Sequence, residues 1–163
     1  LESSKNKYIS LEEELKLIRL YIELEQLRFK GKFAFELSVD ENIGLHTAML
    51  PAMLLQPFVE NAINHGLFHK EGNGHLTLSV ISVSKGGLKF VITDDGIGRQ
   101  KAMELRRQSD RNYKSRALQI TDERLKTMQK VEGYEIGIQF DDLFDENGRP
   151  AGTKVTIVVP EIE

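Results

Sequence analysis

Apolar residues recur along this chain at two spacings, and the places where one gives way to the other predict its elements. Leu11, Leu15, Ile18, Ile22 and Phe29 repeat at helical spacing. Ser10 and Glu13 ahead of them have the spacing of a capping box, so a helix is predicted from residue 10 to about residue 30, where Gly31 stops it. The same helix carries a second seam, Leu17, Leu20, Leu24 and Leu27, in the 3, 4, 3 rhythm of helix packing. One small domain needs one seam. The other is expected either to sink into the core or to be covered by a helix that this chain lacks.

Phe33, Phe35, Leu37 and Val39 then alternate with smaller or polar residues, which predicts a half-buried strand over 33–39. Residues 41–50 read as a connection, with Pro51 near the start of a central helix that includes Leu54–Gly66. Wound at helical pitch, Leu54, Leu55, Phe58, Val59, Ala62 and Ile63 share one half of that helix and must be buried. Pro57 predicts a kink or a helix start, because a proline inside a helix removes a hydrogen bond. Strands follow over 75–83 and 88–95, turned into a hairpin by Lys85-Gly86-Gly87. Two more are predicted over 134–140 and 153–159, joined across Asp145-Glu146-Asn147-Gly148, and a helix over 121–130.

Composition narrows the class. A chain of 163 residues, 40% hydrophobic, suits a single core with one projecting helix. No apolar run approaches the roughly 20 residues of a membrane span, and the charged first residues are unlike a signal peptide, so a soluble piece is expected. The absence of cysteine excludes disulfides, thiolate metal sites and thiol catalysis. A net charge of -3 argues against a nucleic-acid partner.

Candidate chemistry sits in two stretches. Glu60, Asn61 and Asn64 fall together on the half of the central helix that the apolar residues leave free, and asparagine is a poor helix former, which suggests a site there. The strand ending at Asp94-Asp95 is followed at once by Gly96, Ile97 and Gly98, which brings a carboxylate and bare backbone close to any ligand. A third stretch, 99–119, holds seven basic residues against Glu104 and Asp110 and few apolar ones. It is expected to be a mobile lid that becomes ordered over an anion. His46, His69 and His75 read as loop or surface residues, while His65 abuts the helical site. No pair of histidines has metal-ligand spacing.

Taken in order, Glu60-Asn61-Ala62-Ile63-Asn64-His65-Gly66, Asp94-Asp95-Gly96-Ile97-Gly98 and Gly152-Thr153 ahead of a last strand resemble the ATP-binding domain of sensor histidine kinases. LLQPFVE, residues 54–60, and ISLEEELKLIRLYIELEQLRF, residues 9–29, resemble more narrowly the LytS-type kinases of two-component systems. The resemblance implies an α+β, two-layer sandwich of the histidine-kinase-like ATPase fold. It would have a mixed, mostly antiparallel sheet, helices on one face and a long helix in front. Residues 1–32 would be the end of a dimerisation region and 33–163 the ATP-binding domain.

It also implies roles. Asp94 would accept a hydrogen bond from the adenine amino group, with Gly96, Ile97 and Gly98 making room for the base. Asn61 would hold Mg2+ with the phosphate oxygens and, with Glu60, form the catalytic pair; Asn64 and His65 would lie beside the nucleotide. Gly152 and Thr153 would join the water network around the base. The second glycine box of the family is here Ser115-Arg116-Ala117-Leu118, and Asn64 stands where many members have lysine, so Lys114 or Arg116 would supply the missing phosphate charge. Pro57 occupies the place of the catalytic glutamate of gyrase-like ATPases, so vigorous hydrolysis is not implied.

The function implied is transfer of the γ-phosphate of Mg-ATP to a histidine upstream of this chain, for relay to a response regulator. The partners would be the chain's own dimerisation and phosphoacceptor helices within a homodimer, the domain being the cytoplasmic part of a membrane-bound sensor. Two alternatives are a nucleotide-binding module with impaired catalysis, suggested by the altered glycine box, and a serine kinase of the anti-sigma-factor type, against which the long two-seamed helix speaks.

Overall fold

The computed structural model describes residues 8–109, 123 and 135–161. A short strand β1 (Tyr8–Ser10) leads directly into helix α1 (Leu11–Arg28). Ser10 caps the helix, its hydroxyl accepting the amide of Glu13 at 3.2 Å, and Glu12, Glu13 and Glu14 place negative charge in the first turn. Lys30 and Gly31 both take positive φ and turn the chain out of the helix.

The sheet is built from β2 (Phe33–Val39), β4 (Gly74–Ser82), β5 (Leu88–Asp94), β7 (Pro150–Val159) and β6 (Gly137–Phe144), in that spatial order. Only β2 and β4 run parallel; the other neighbours are antiparallel. On β4, β5 and most of β7 burial alternates strictly, so one face is apolar and packed while the other is polar. The predicted strand 134–140 is displaced toward the C-terminus, and the predicted helix over 121–130 lies outside the described residues apart from residue 123, which is helical.

Two elements depart from the sequence expectation between residues 41 and 67. Met49–Pro51 form strand β3, paired antiparallel with β1, so Pro51 ends a strand rather than opening a helix. The central helix is α2 (Gln56–Asn61) followed by a π-helical turn over Ala62–Leu67. Pro57 falls in the first turn of α2, where its missing N–H costs little, which resolves kink versus start in favour of a start. Glu14, only 1% exposed, accepts the amides of Met53 and Leu55 at 3.2 Å each and so tethers the entry of α2 to α1.

Leu11, Leu15, Ile18 and Ile22 of α1 join Leu55, Phe58, Val59 and Ile63 against Leu78, Phe90 and Ile157 of the sheet in one core. Each fully buried side chain of this kind contributes roughly 1.5–3 kcal/mol. The expected division at residue 32 therefore falls between two elements that share a core. The second seam stands in the open, from Leu17 at 45% exposed to Leu27 at 77%.

Candidate functional site

A cavity opens where the π-helical turn meets the ends of β5 and β7 and the start of α3 (Arg99–Ser109). It encloses about 460 Å³, counting the space open to solvent. Phe58, Ile92, Phe140 and Val155 make its walls apolar. Asn61 and His65 enter from the helical side, Asp94 and Thr153 from the sheet.

Asp94 is the last residue of β5 and only 5% exposed, and three glycines pack closely around it. A Cβ on Gly66 would lie 2.6 Å from its Oδ1, one on Gly152 would run into its carbonyl oxygen, and one on Gly96 would strike the backbone of Gly66. Gly152 also has φ 134°, open only to glycine. The amide of Gly96 donates to Asp94 Oδ1 at 2.9 Å, and the amide of Ile97 to the carbonyl of Gly66 at 3.2 Å, which stitches the loop after β5 to the π-helical turn. Burial pushes the Asp94 carboxyl up to about 7; the Gly96 amide opposes this, Asp95 adds to it and Lys70 opposes it.

Asp95 faces the other way. Its carboxylate accepts the His75 amide at 2.7 Å, meets the His75 ring at 2.8 Å and pairs with Lys70 at 3.0 Å. Partial burial works against its charge, yet these bonds from His75 and Lys70 hold its pKa below the ordinary carboxylate value. Two adjacent aspartates thus receive opposite environments, and only Asp94 reaches the cavity.

The structure brings Asn61, His65, Asp94, Gly98 and Thr153 to one cavity and sets Gly66, Gly96 and Gly152 around Asp94. Ile97 is buried beneath. Glu60 and Asn64 are outside the cavity lining, and Glu60 accepts from Gln56 at 3.4 Å. Lys114, Ser115, Arg116, Ala117 and Leu118 lie outside the described residues. The lid expectation is corrected at its start, because Arg99–Ser109 is a helix whose Ala102 is buried against the cavity. Arg99 forks both nitrogens onto Asp142 at 2.9 and 3.0 Å and lies over the Phe140 ring, 5.0 Å from its centre. Phe140, Arg99 and Ala102 are lining residues that the sequence does not single out. Alternation marks Phe140 as one face of a strand, but which strand it would lie beside is a long-range fact.

The class comes from the fold: a mixed five-stranded sheet with α1, α2 and α3 on one face is the histidine-kinase ATPase fold. Over 96% of this chain and 97% of that one, it resembles the mycobacterial sensor histidine kinase MprB at a TM-score of 0.59 and 18% identity. It also resembles histidine kinase ThkA, solved in complex with the response regulator protein TrrA, over 95% of this chain and 41% of that one, at a TM-score of 0.54 and 15% identity. In sequence it is similar to the sensor histidine kinase/phosphatase LytS of Staphylococcus aureus, 32% identical over 101 residues. Those residues are 62% of this chain and 17% of LytS, so the chain spans a small part of its curated relative. No protein-family model matches the sequence.

Proposed function

We propose that this chain is the ATP-binding catalytic domain of a sensor histidine kinase, presenting the γ-phosphate of ATP to a histidine that the chain does not itself contain. The observation that carries this reading is Asp94, a buried acceptor on a floor of glycines beneath apolar walls, which suits a flat base with an exocyclic amino donor. Asn61, across the cavity, offers a neutral oxygen to the phosphate end.

The residues fit Mg2+ as a passenger of the nucleotide. Among the described residues no group of three histidine or acidic side chains could hold a metal alone, whereas one amide oxygen with phosphates and water suits this small, strongly hydrated cation. When bound, the metal would neutralise phosphate charge. The chain's own part is positioning: Asp94 orients the base, the walls exclude water, and Asn61 with His65 aligns the phosphate end.

The domain would work beside dimerisation and phosphoacceptor helices of its own homodimeric parent, with a response regulator as next acceptor, on the cytoplasmic side of a membrane-bound sensor. Among the described residues no helix is long and apolar enough to cross a membrane. Labelled ATP with Mg2+ tests the reading. The chain alone should remain unlabelled, and adding the acceptor segment of its parent should produce acid-labile label there. Label on His46, His65, His69 or His75, or the absence of any heat of ATP binding in calorimetry, would overturn it.

A further inference from the structure

Of the described residues that line the cavity, Arg99 alone is an arginine or lysine and Asp94 alone is acidic. The sheet register keeps the two apart. Asp94 on β5 is the cross-strand partner of Thr153 on β7, and Thr153 that of Asp142 on β6, so the three form one row on the same face, with Asp142 about 10 Å from Asp94 at the spacing of two strands. Arg99 is bound to the far end of this row: Nε and Nη2 donate to Asp142 Oδ1 and Oδ2 at 2.9 and 3.0 Å, and the guanidinium lies 5.0 Å from the centre of the Phe140 ring. Stability accounts for little of this placement. Arg99 opens α3, where a positive charge opposes the helix dipole, and the first turn holds no acidic residue to offset it. The pair with Asp142 is nearly half exposed on both sides, so it adds little. It does keep both groups charged: the hydrogen bond from Arg99 holds Asp142 below the ordinary carboxylate value, and the same bond, aided by the charge of Asp141, holds Arg99 above its own against the cost of burial.

We propose that Arg99 is a phosphate-binding residue of the cavity and that Asp142 is its resting partner, given up when the polyphosphate of a bound nucleotide takes the guanidinium. This rests on the nucleotide reading above and deepens it by assigning the phosphate end a cation. Phosphate accepts the same two-nitrogen fork as a carboxylate and carries more charge. Asp142 returns to water at small cost, because its side chain is already nearly half exposed. Both partners are charged before and after, so the exchange moves no proton.

If the fork only braced α3 against β6, removing either partner would weaken binding in the same sense; here the two should act in opposite senses. In the full chain, calorimetry with Mg2+ and a non-hydrolysable ATP analogue should show about tenfold weaker binding for Arg99→Gln and about threefold tighter binding for Asp142→Asn, in which Arg99 has lost its competing anion. Adenosine, which has no phosphate, should bind both variants as it binds the wild type. The double variant should match Arg99→Gln, since Asp142 acts only through Arg99. Arg99→Lys keeps the charge and loses the fork, and should fall between the wild type and Arg99→Gln. Weaker analogue binding by both single variants, or an equal change for analogue and adenosine, would overturn the assignment. Should Arg99→Gln fail to fold, the sense of the Asp142→Asn effect decides alone: tighter binding supports the exchange, and weaker or unchanged binding overturns it. Variants that bind both ligands as the wild type does would remove Arg99 from the site and leave the nucleotide reading standing, whereas a wild type that binds neither ligand would overturn both.

Discussion

The two ends of the cavity are built on opposite principles. At the Asp94 end the closest packing is against backbone: β5 lies between β4 and β7, and three glycines press so close that no side chain could replace them. At the Asn61 end the parts are a short helix that widens into a π-helical turn and the start of α3, held by side-chain contacts such as Arg99 with Asp142. On the nucleotide reading proposed above, the base would be rigid and the same in every nucleotide state, whereas the phosphate end would have to accept different charges. Backbone suits the first task, and replaceable side-chain bonds suit the second.

The largest effect should follow from breaking the rigid end. Gly152→Ala forces a Cβ into the Asp94 carbonyl at a positive φ, so denaturant unfolding should show a loss of about 3 kcal/mol together with loss of adenosine binding. Retained stability would mean that the β5–β7 contact gives way easily.

Asp94→Asn comes next, because it separates binding from stability at one atom. Adenosine affinity should fall about tenfold as the charged acceptor becomes an amide. With its pKa raised from 3.8 to about 7, the folded protein holds a proton that the unfolded chain releases. This group's contribution to stability is therefore full below about pH 4 and declines as pH rises to 7. The wild type should lose stability over that window relative to Asp94→Asn, while its base affinity rises as pH passes 7. Parallel stability curves for the two proteins would show that Asp94 is better solvated than its burial implies.

This asymmetry also explains what could be read in advance. The glycines after Asp94 and the run Glu60-Asn61 are local signals, and local signals give element types and two residues, Asn61 and Asp94, that the fold brings to one cavity. Asp94 and Asp95 are equal in the sequence; the His75 amide and Lys70 that claim Asp95 come from elsewhere in the chain, so their division of roles is invisible until β4 is laid beside β5. Asn64 reads as part of the site by helical spacing, but a π-helical turn alters that spacing and leaves the residue outside the cavity lining. Strands β1 and β3, three residues each, are too short to carry a period. Glu14 is one of three consecutive glutamates, and only the fold shows that it tethers the entry of α2.

A smaller effect is expected at the adaptable end. Asp142→Asn removes the fork that holds Arg99, a pair in which both side chains are nearly half exposed, so stability should fall by about 1 kcal/mol or less. The local consequence should be clearer than the global one. The amide of Ala102, which donates to the Gly98 carbonyl at 3.1 Å, should exchange faster, and the released Arg99 should make analogue binding more sensitive to salt. Unchanged exchange at Ala102 would mean that α3 is held by the burial of Ala102 itself.

The smallest effect belongs to the outer face of α1 and tests whether stability in this helix comes from one seam. Leu24 is 65% exposed and Leu27 77%, whereas Ile18 and Ile22 on the inner face are each 1% exposed. Glutamine at Leu24 or Leu27 removes little buried area and retains good helix propensity, so each change should alter the unfolding free energy by no more than about 0.5 kcal/mol. Nucleotide affinity should be untouched, because neither residue contributes to the face through which Glu14 reaches the entry of α2. A loss of several times that size in either variant would show that the exposed leucines are buried in solution and that the core reaches beyond the inner seam. Equal stability with weakened analogue binding would instead mean that the outer face of α1 communicates with the site by a route other than the Glu14 tether.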